Sequence, residues 1–474
     1  MEQFSTYNSS FADGKAGAAW LYAPETQRLL ETLSAGGEEA RAIGGAVRNT
    51  LLGRPVNDID IAVTLTPDKV LTRVKQAGFG AVPVGIEFGT VRVLAKGQCF
   101  EVTTLREDIA ADGRHAEVRF CRDWALDAAR RDFTINALSV DARGQLYDYA
   151  GGLRDIEGGI LRFIGEPEAR IREDYLRILR FFRFYASFGQ GRPDAAALKA
   201  IAKLREGLRR LSAERVWAEF KKLLSAPDPF RSVLWMRACG VLPIILPESE
   251  KWGIDLLKGL AENEKYVAGF ADFSSRAIGS QAQGASGGAC PRGGAKRSFV
   301  AVSTKTDALL RLETLIPPQA ERVKTAAARL KLSAREKRRL LDWAQMGEIN
   351  AHINEMEFKK LIYAACRKAQ KSGGSAKGNE MWEAVKPQAL LDRLNTAYAA
   401  AKVYDKPEEC RLYARLLKLA ETWQPPIFPI QVADMQALGL SGAALGNALK
   451  RLEKIWLDSD FVLTKESLLA QQKS

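Results

Sequence analysis

A chain of 474 residues is long enough for two to four domains and a large core. Its 46 % hydrophobic and 27 % charged residues are ordinary for a soluble globular protein, and no apolar run is long enough to mark a membrane span. The net charge of +13 favours a polyanionic partner, nucleic acid first, while six scattered cysteines without a Cys-x-x-Cys pair and only two histidines argue against a zinc site or a Ser-His-Asp triad and fit a reducing cytoplasm.

Residues 1–20 contain Glu2 and Asp13 and lack the apolar stretch of a signal peptide, so they read as a disordered lead. Residues 21–42 read as helix, with Leu29, Leu30 and Leu33 on one face. From Gly44 to Thr64 the chain is dense in chemistry. Gly44 and Gly45 open a short helical run that ends at Gly53, a residue suited to a left-handed helix end. Asp58-Ile59-Asp60-Ile61 then alternates with the period of a half-buried strand, which puts Asp58 and Asp60 on one face. Two neighbouring carboxylates repel unless they are solvated or share a cation. Oxygen ligands of this kind suit Mg²⁺, which takes one or two carboxylates and completes its shell with water and substrate phosphates. Paired glycines let a backbone approach phosphate oxygens closely. Asp-x-Asp alone reads more simply as a solvated edge strand; Gly44, Gly45 and Arg48 at these spacings favour a phosphate-and-metal site.

A helix from Pro67 to Ala77, with Thr66 as N-cap, leads to short strands at Val82–Val84, Thr90–Ala95 and Cys99–Leu105. Together these predict a mixed sheet of about five strands flanked by helices. Glu101 falls in the last strand, either as a third carboxylate beside Asp58 and Asp60 or as an ordinary edge residue. Residues 107–122 read as a polar loop. Trp124 to Asp141 returns to a helical pattern containing Arg130-Arg131-Asp132-Phe133-Thr134-Ile135-Asn136, and Asp148 to Asp155 is a turn-rich link.

After Pro167 the pattern is helical almost throughout. A helix predicted over 169–188 carries an apolar stripe of Tyr175, Ile178, Leu179 and Phe182. Glu173, Asp174, Arg177 and Arg180 lie on its other side, and Arg183 continues the basic row. The Gly/Ser-rich residues 276–298 read as a flexible insertion and 371–377 as another loop. A helix over 321–340 holds eight Lys/Arg against two Glu. Its Arg335, Lys337, Arg338 and Arg339 are the candidate polyanion-binding residues, with a solvated basic face as the alternative. A final helical segment runs from Gly439 to Trp456.

Four stretches, Gly44–Thr64, Arg130–Ala137, Asp148–Asp155 and Glu173–Arg183, occur in an order that resembles the class II polymerase-β-like nucleotidyltransferases. That family comprises tRNA nucleotidyltransferases (CCA-adding enzymes) and bacterial poly(A) polymerases. The resemblance covers about residues 20–245, and the segment from Leu438 to Gly446 also resembles the tail of bacterial CCA-adding enzymes. Two departures are the 276–298 insertion and Asn49, where many relatives carry an acidic residue.

The resemblance implies an α+β protein. A nucleotidyltransferase head at 21–160 is followed by a helical neck at 161–230 and a helical body and tail at 231–474 that hold tRNA. It further implies that Asp58 and Asp60 bind catalytic Mg²⁺. Gly45, Arg48 and Arg131 hold the incoming nucleotide, with Asp132 and Asn136 supporting its sugar. Asp174 and Arg177 read the base, and Arg180 and Arg183 extend the basic side. The implied activity is template-independent addition of CCA to tRNA from CTP and ATP, by in-line attack at a two-metal site with release of pyrophosphate. Poly(A) addition, partial CC- or A-addition and a non-catalytic RNA-binding role are the alternatives; oligomeric state is left open.

Overall fold

A computed structural model of the chain describes residues 11, 16–112, 115–249, 253–262, 306–372 and 387–473. The predicted insertion at 276–298 lies outside the described residues, as does all but the start of the predicted loop at 371–377. The chain divides into two compact units, Met1–Pro247 and Glu248–Ser474.

The first unit is built on a seven-stranded sheet, two strands more than predicted. Its strands are β1 (Ala40–Ile43), β2 (Ile59–Val63), β3 (Gly80–Gly85), β4 (Thr90–Ala95), β5 (Gln98–Thr104), β8 (Ser139–Val140) and β9 (Leu146–Tyr147), in the order β3-β4-β5-β2-β1-β8-β9. Only β2 and β5 run parallel; the other pairs are antiparallel. The parallel register sets Asp60 opposite Glu101, so the two carboxylates come from neighbouring strands. Helices α1 (Pro24–Ser34) and α3 (Pro67–Gln76) contribute Leu29, Leu30, Leu33, Val70 and Val74 to the core beneath the sheet, alongside Ile61, Val91, Phe100 and Val102. Between β1 and β2 stands α2 (Gly45–Leu51).

Several local expectations are corrected. The helix predicted over 21–42 stops at Ser34, and the apolar Ala40–Ile43 run becomes the buried strand β1. Phe11, Ala18 and Leu21 are buried in the sheet core, and Trp20 Nε1 donates to Thr50 Oγ1 at 2.7 Å, so the lead is ordered where it is described. The predicted loop 107–122 contains a hairpin of β6 (Arg106–Asp112) and β7 (His115–Phe120). The helix predicted over 124–141 is only α4 (Trp124–Ala129), followed by a single 3₁₀ turn at Thr134–Asn136 and then β8. Thr66 occupies the N-cap position of α3, but its side chain makes no capping bond.

Further along this unit, α5 (Gly152–Glu157) follows a tight turn in which Asp148 accepts four backbone amides, those of Ala150, Gly151, Gly152 and Leu153. A side chain at Gly152 would meet the Thr134 carbonyl oxygen at 2.3 Å, which leaves only glycine there. The helix predicted over 169–188 is two helices, α6 (Pro167–Glu173) and α7 (Leu176–Phe188). Asp174 breaks them with extended backbone, φ −152° and ψ 108°. Phe181 and Phe182 of α7 are fully buried, and α7 packs against α9 (Ala213–Leu224) and α10 (Pro229–Ala238); α8 (Ala195–Leu204) packs against α6.

Every described element of the second unit is helical. One core gathers Phe358, Ile362, Leu390, Leu394 and Leu417; another gathers Tyr363, Met435, Leu452 and Trp456. The basic stretch 321–340 forms two helices, Ala320–Arg329 and Ala334–Gln345, parted by Lys331 at φ +48° and by a Ser333–Glu336 capping box. Arg335, Lys337 and Arg338 are exposed. Arg339 is not a free basic residue. It forks onto the buried Asp392 (Nε–Oδ2 2.7 Å, Nη2–Oδ1 2.9 Å) and reaches Asp307 at 2.6 Å, so it is corrected from a candidate RNA contact to an internal ion pair. Removing one partner of such a pair leaves a buried charge uncompensated. Arg339→Ala is therefore expected to destabilise the protein by about 3–5 kcal/mol. Arg335→Ala and Lys337→Ala should stay within about 0.5 kcal/mol. Urea unfolding of the three variants checks this, and equal midpoints for all three would contradict it.

Candidate active site

At the end of β2 the first unit opens a cavity of about 710 Å³. Asp58, Asp60, Gly44, Gly45 and Arg48 line it from the sheet and α2. Arg131, Asp132 and Asn136 line it from the segment after α4, and Asp174, Arg177, Arg180 and Arg183 from the α6–α7 region. Residues from three separated stretches of sequence thus meet around one space.

Asp58 immediately precedes β2 and is exposed, whereas Asp60 is half buried. Burial, then the nearby charge of Glu101 and then that of Asp58, raise the Asp60 carboxyl above the usual range, with Arg131 opposing. Glu101 does not line the cavity. Its Oε1 accepts from Arg92 Nη2 at 3.0 Å, on the strand beyond.

Gly44 turns the chain from β1 into α2 at φ +61°, with its amide on the Leu138 carbonyl at 3.0 Å. A side chain there would stand 3.4 Å from the Asn136 carbonyl oxygen and 3.8 Å from Arg131 Nη1, so glycine keeps this turn low against the basic wall. Arg48, on α2, is buried. It donates to Asn136 Oδ1 and to Asn49 Oδ1 (3.0 Å) and lies 4.5 Å over the Phe188 ring. Burial, chiefly, and the charges of Arg183, Arg54 and Arg180 bring its guanidinium down to about 10, with Asp132 opposing; it stays charged at neutral pH.

Asp132 is the most heavily bonded acid in the cavity wall. Its Oδ1 accepts from the Phe133 amide (2.9 Å) and Asn136 Nδ2 (3.0 Å), and its Oδ2 from Arg180 Nε (2.7 Å). Burial works to raise this carboxyl, but Arg180 and the Asn136 bond outweigh it and hold it below the usual range. Arg180 responds in the opposite sense: burial opposes its charge and Asp132 more than restores it. Arg183 has its Nε 2.7 Å from Glu219 Oε2 and lies 4.1 Å over Phe184; burial dominates and lowers it.

The two candidate base readers are held apart. Arg177 Nη1 donates to Glu173 Oε2 and to the Arg170 carbonyl, while Asp174 accepts from the Leu176 amide and from Arg215. Arg177 pairs with Glu173, four residues before it, whereas Asp174 pairs with Arg215.

Sequence reading missed four contributors. Asp127 lies beneath the wall and grips both Arg130 (2.6 Å) and Arg131 (3.0 Å); its i+3 and i+4 spacing to them on α4 was a readable signal. Arg130, Arg215 and Phe184 line the cavity, and the 41-position separation of Asp174 from Arg215 left no local trace.

Comparison with known proteins fits this geometry. Residues 40–162 match the family model described as "Poly A polymerase head domain". Residues 192–252 match "Probable RNA and SrmB- binding site of polymerase A". The mouse mitochondrial CCA tRNA nucleotidyltransferase 1 is 30 % identical over 99 % of this chain and 92 % of its own length. The chain belongs to the CCA tRNA nucleotidyltransferase family. Among bacterial family members, the CCA-adding enzyme of Streptococcus gordonii is 45 % identical over 43 % of this chain and 50 % of its own. The solved Bacillus stearothermophilus CCA-adding enzyme in complex with CTP is 25 % identical, with a TM-score of 0.59 over 95 % of this chain and 97 % of that one. No helix among the described residues is long and apolar enough to cross a membrane.

Asp127 gives this wall a direct test. Asp127→Ala leaves Arg130 and Arg131 without their shared acceptor, at a cost of about 1–3 kcal/mol in stability. It should also raise KM for both CTP and ATP by roughly tenfold, equivalent to 1.4 kcal/mol of binding. Steady-state kinetics beside thermal unfolding separates the two effects; an unchanged KM would show that these arginines do not meet the nucleotide.

Proposed function

We propose that this chain completes the 3′ end of tRNA, adding C, C and A in turn from CTP and ATP without a nucleic-acid template. The observation that carries this reading is the single cavity lined by Asp58 and Asp60 at one side, Asp174 and Arg177 at another, and Arg48, Arg131, Arg180 and Arg183 between them.

The two carboxylates fit a divalent cation. Asp60 is crowded by like charge in a half-buried place, and the charge of Mg²⁺ would relieve it. Among the described residues no cluster of three or more acidic, histidine or cysteine ligands could enclose a metal alone. That suits an ion that completes its shell with water and substrate phosphate. When bound by Asp58 and Asp60, Mg²⁺ would supply the charge that makes the terminal hydroxyl more acidic and the pyrophosphate a better leaving group.

The rest falls to the chain's own side chains. Arg48, Arg131, Arg180 and Arg183 present guanidinium donors to the triphosphate, already oriented by Asn136, Asp127, Asp132 and Glu219 respectively. Asp132 and Asn136 support its sugar. In the transfer, the tRNA 3′-oxygen bonds to the α-phosphorus as the bond from that phosphorus to the pyrophosphate oxygen breaks. Glu101 acts on Asp60 through its charge and is itself paired with Arg92. Arg335, Lys337 and Arg338 remain candidates for tRNA phosphates, with Arg339 excluded. Head, neck, body and tail divide near residues 160 and 230, and the chain works in the cytoplasm. That placement is supported by six cysteines scattered along the sequence without a Cys-x-x-Cys pair, a usage that fits a reducing compartment.

Asp174 and Arg177 choose the base. A carboxylate accepts hydrogen bonds and a guanidinium donates them. Cytosine and adenine each offer an amino donor beside a ring-nitrogen acceptor; uracil and guanine put a carbonyl where the amino group should be. Opposed acceptors left unpaired in a closed site are strongly rejected.

The test uses purified protein, Mg²⁺, tRNA ending before and after its CC, and each NTP separately. CTP and then ATP should be used, with UTP and GTP poor, and addition should stop at CCA. Asp58→Asn and Asp60→Asn should abolish transfer, and Asp174→Ala should blur C against U. Continued addition of A beyond CCA would instead identify a poly(A) polymerase.

A further inference from the structure

Side chains of opposite charge three residues apart, such as Asp174 and Arg177, can readily pair with each other. In this structure each is tied to a third group instead. Arg177 is tied back to α6 through Glu173 and the Arg170 carbonyl. Asp174 is tied on both oxygens: Oδ1 accepts the Leu176 amide at 3.0 Å and Oδ2 accepts Arg215 Nη2 at 2.8 Å.

Arg215 is well placed for this. It sits in the first turn of α9, which is capped by Ser212 and seated by the buried Val216, Trp217 and Phe220. Because α9 packs against α7, the guanidinium is presented to the cavity from a rigid element. Arg215 and Asp174 are 27 % and 20 % exposed, so the pair is partly shielded from water at the cavity wall.

We infer that Arg215 is a positioning residue for base selection, an inference that rests on the proposed reading of the base by Asp174. An unheld carboxylate rotates and can present acceptors in many directions, including toward Arg177. With Oδ2 fixed by Arg215 and Oδ1 by a backbone amide, the remaining lone pairs point in set directions. An amino group on the base meets one of them; a carbonyl in the same place meets an acceptor that cannot turn away. Discrimination against U and G therefore depends on the orientation of the carboxylate as well as on its presence.

The experiment measures kcat/KM for CTP and UTP on tRNA ending before CCA, and for ATP and GTP on tRNA ending in CC. It compares the full chain with Arg215→Gln, Arg215→Lys and Asp174→Ala. A merely structural loss lowers both members of each pair in parallel and leaves the ratio unchanged. The inference expects Arg215→Gln to lower the C-over-U and A-over-G ratios by about tenfold or more. Arg215→Lys keeps the charge but not the planar fork, and should lower them by about threefold. The lysine variant carries the test alone if the glutamine variant does not fold. Wild-type ratios in the folded Arg215 variants, with a collapsed ratio in Asp174→Ala, would overturn the role of Arg215 and leave the reading of the base intact. Wild-type ratios in Asp174→Ala as well would overturn both.

Discussion

The Asp132 carboxylate collects donors from three places: the Phe133 amide beside it, the Asn136 side chain one turn later, and Arg180 on a helix 48 residues away. Asn136 in turn accepts from Arg48 on α2, the helix that follows β1. Four residues are thus joined in one chain of hydrogen bonds, and through it the sheet end, the segment after α4 and helix α7 share a common wall. An acid this buried is costly unless it is fully paired, and here its pairing orders the site.

The same wall stores repulsion. Arg48, Arg54, Arg180 and Arg183 lie close enough that Arg183, Arg54 and Arg180 each disfavour the charge on Arg48. Phe184 and Phe188, stacked at 6.0 Å, put their ring faces beneath these cations. Cation–ring attraction, with Asp132 and Glu219, offsets part of the repulsion. A bound triphosphate would relieve the remainder, so part of its binding energy is built into the wall. Donors fixed in place beforehand need little reorganisation when charge develops on the leaving group.

Local chemistry was legible in the sequence; long-range pairing was not. Asp58 and Asp60 announced themselves by strand period, and Gly53, expected at a left-handed helix end, does adopt positive φ, +63°. The apolar stripe of α7 was readable, but the break at Asp174 was not, because its Glu-Asp-Tyr neighbourhood carries neither Gly nor Pro. Helix was overextended at 124–141, where Phe133, Leu138 and Val140 are apolar at spacings that suit a turn and a buried strand equally well. The hairpin at 106–120 was hidden because its frequent charges, among them Glu107, Asp108, Asp112, Glu117 and Arg119, read as a loop. Arg339 shows the limit most plainly. On a helix it looks like its neighbours Arg335, Lys337 and Arg338, and only the fold brings Asp392 and Asp307 to it.

Nucleotide affinity is expected to depend on the Asp132–Arg180 pair acting as a unit. That dependence is tested most directly by a double-mutant cycle, with the CTP dissociation constant measured by calorimetry for wild type, Asp132→Ala, Arg180→Ala and the double variant. Coupled partners give a double variant little worse than either single one, with a coupling energy above about 1.4 kcal/mol. Strictly additive losses would contradict the account and show that the two residues contribute independently.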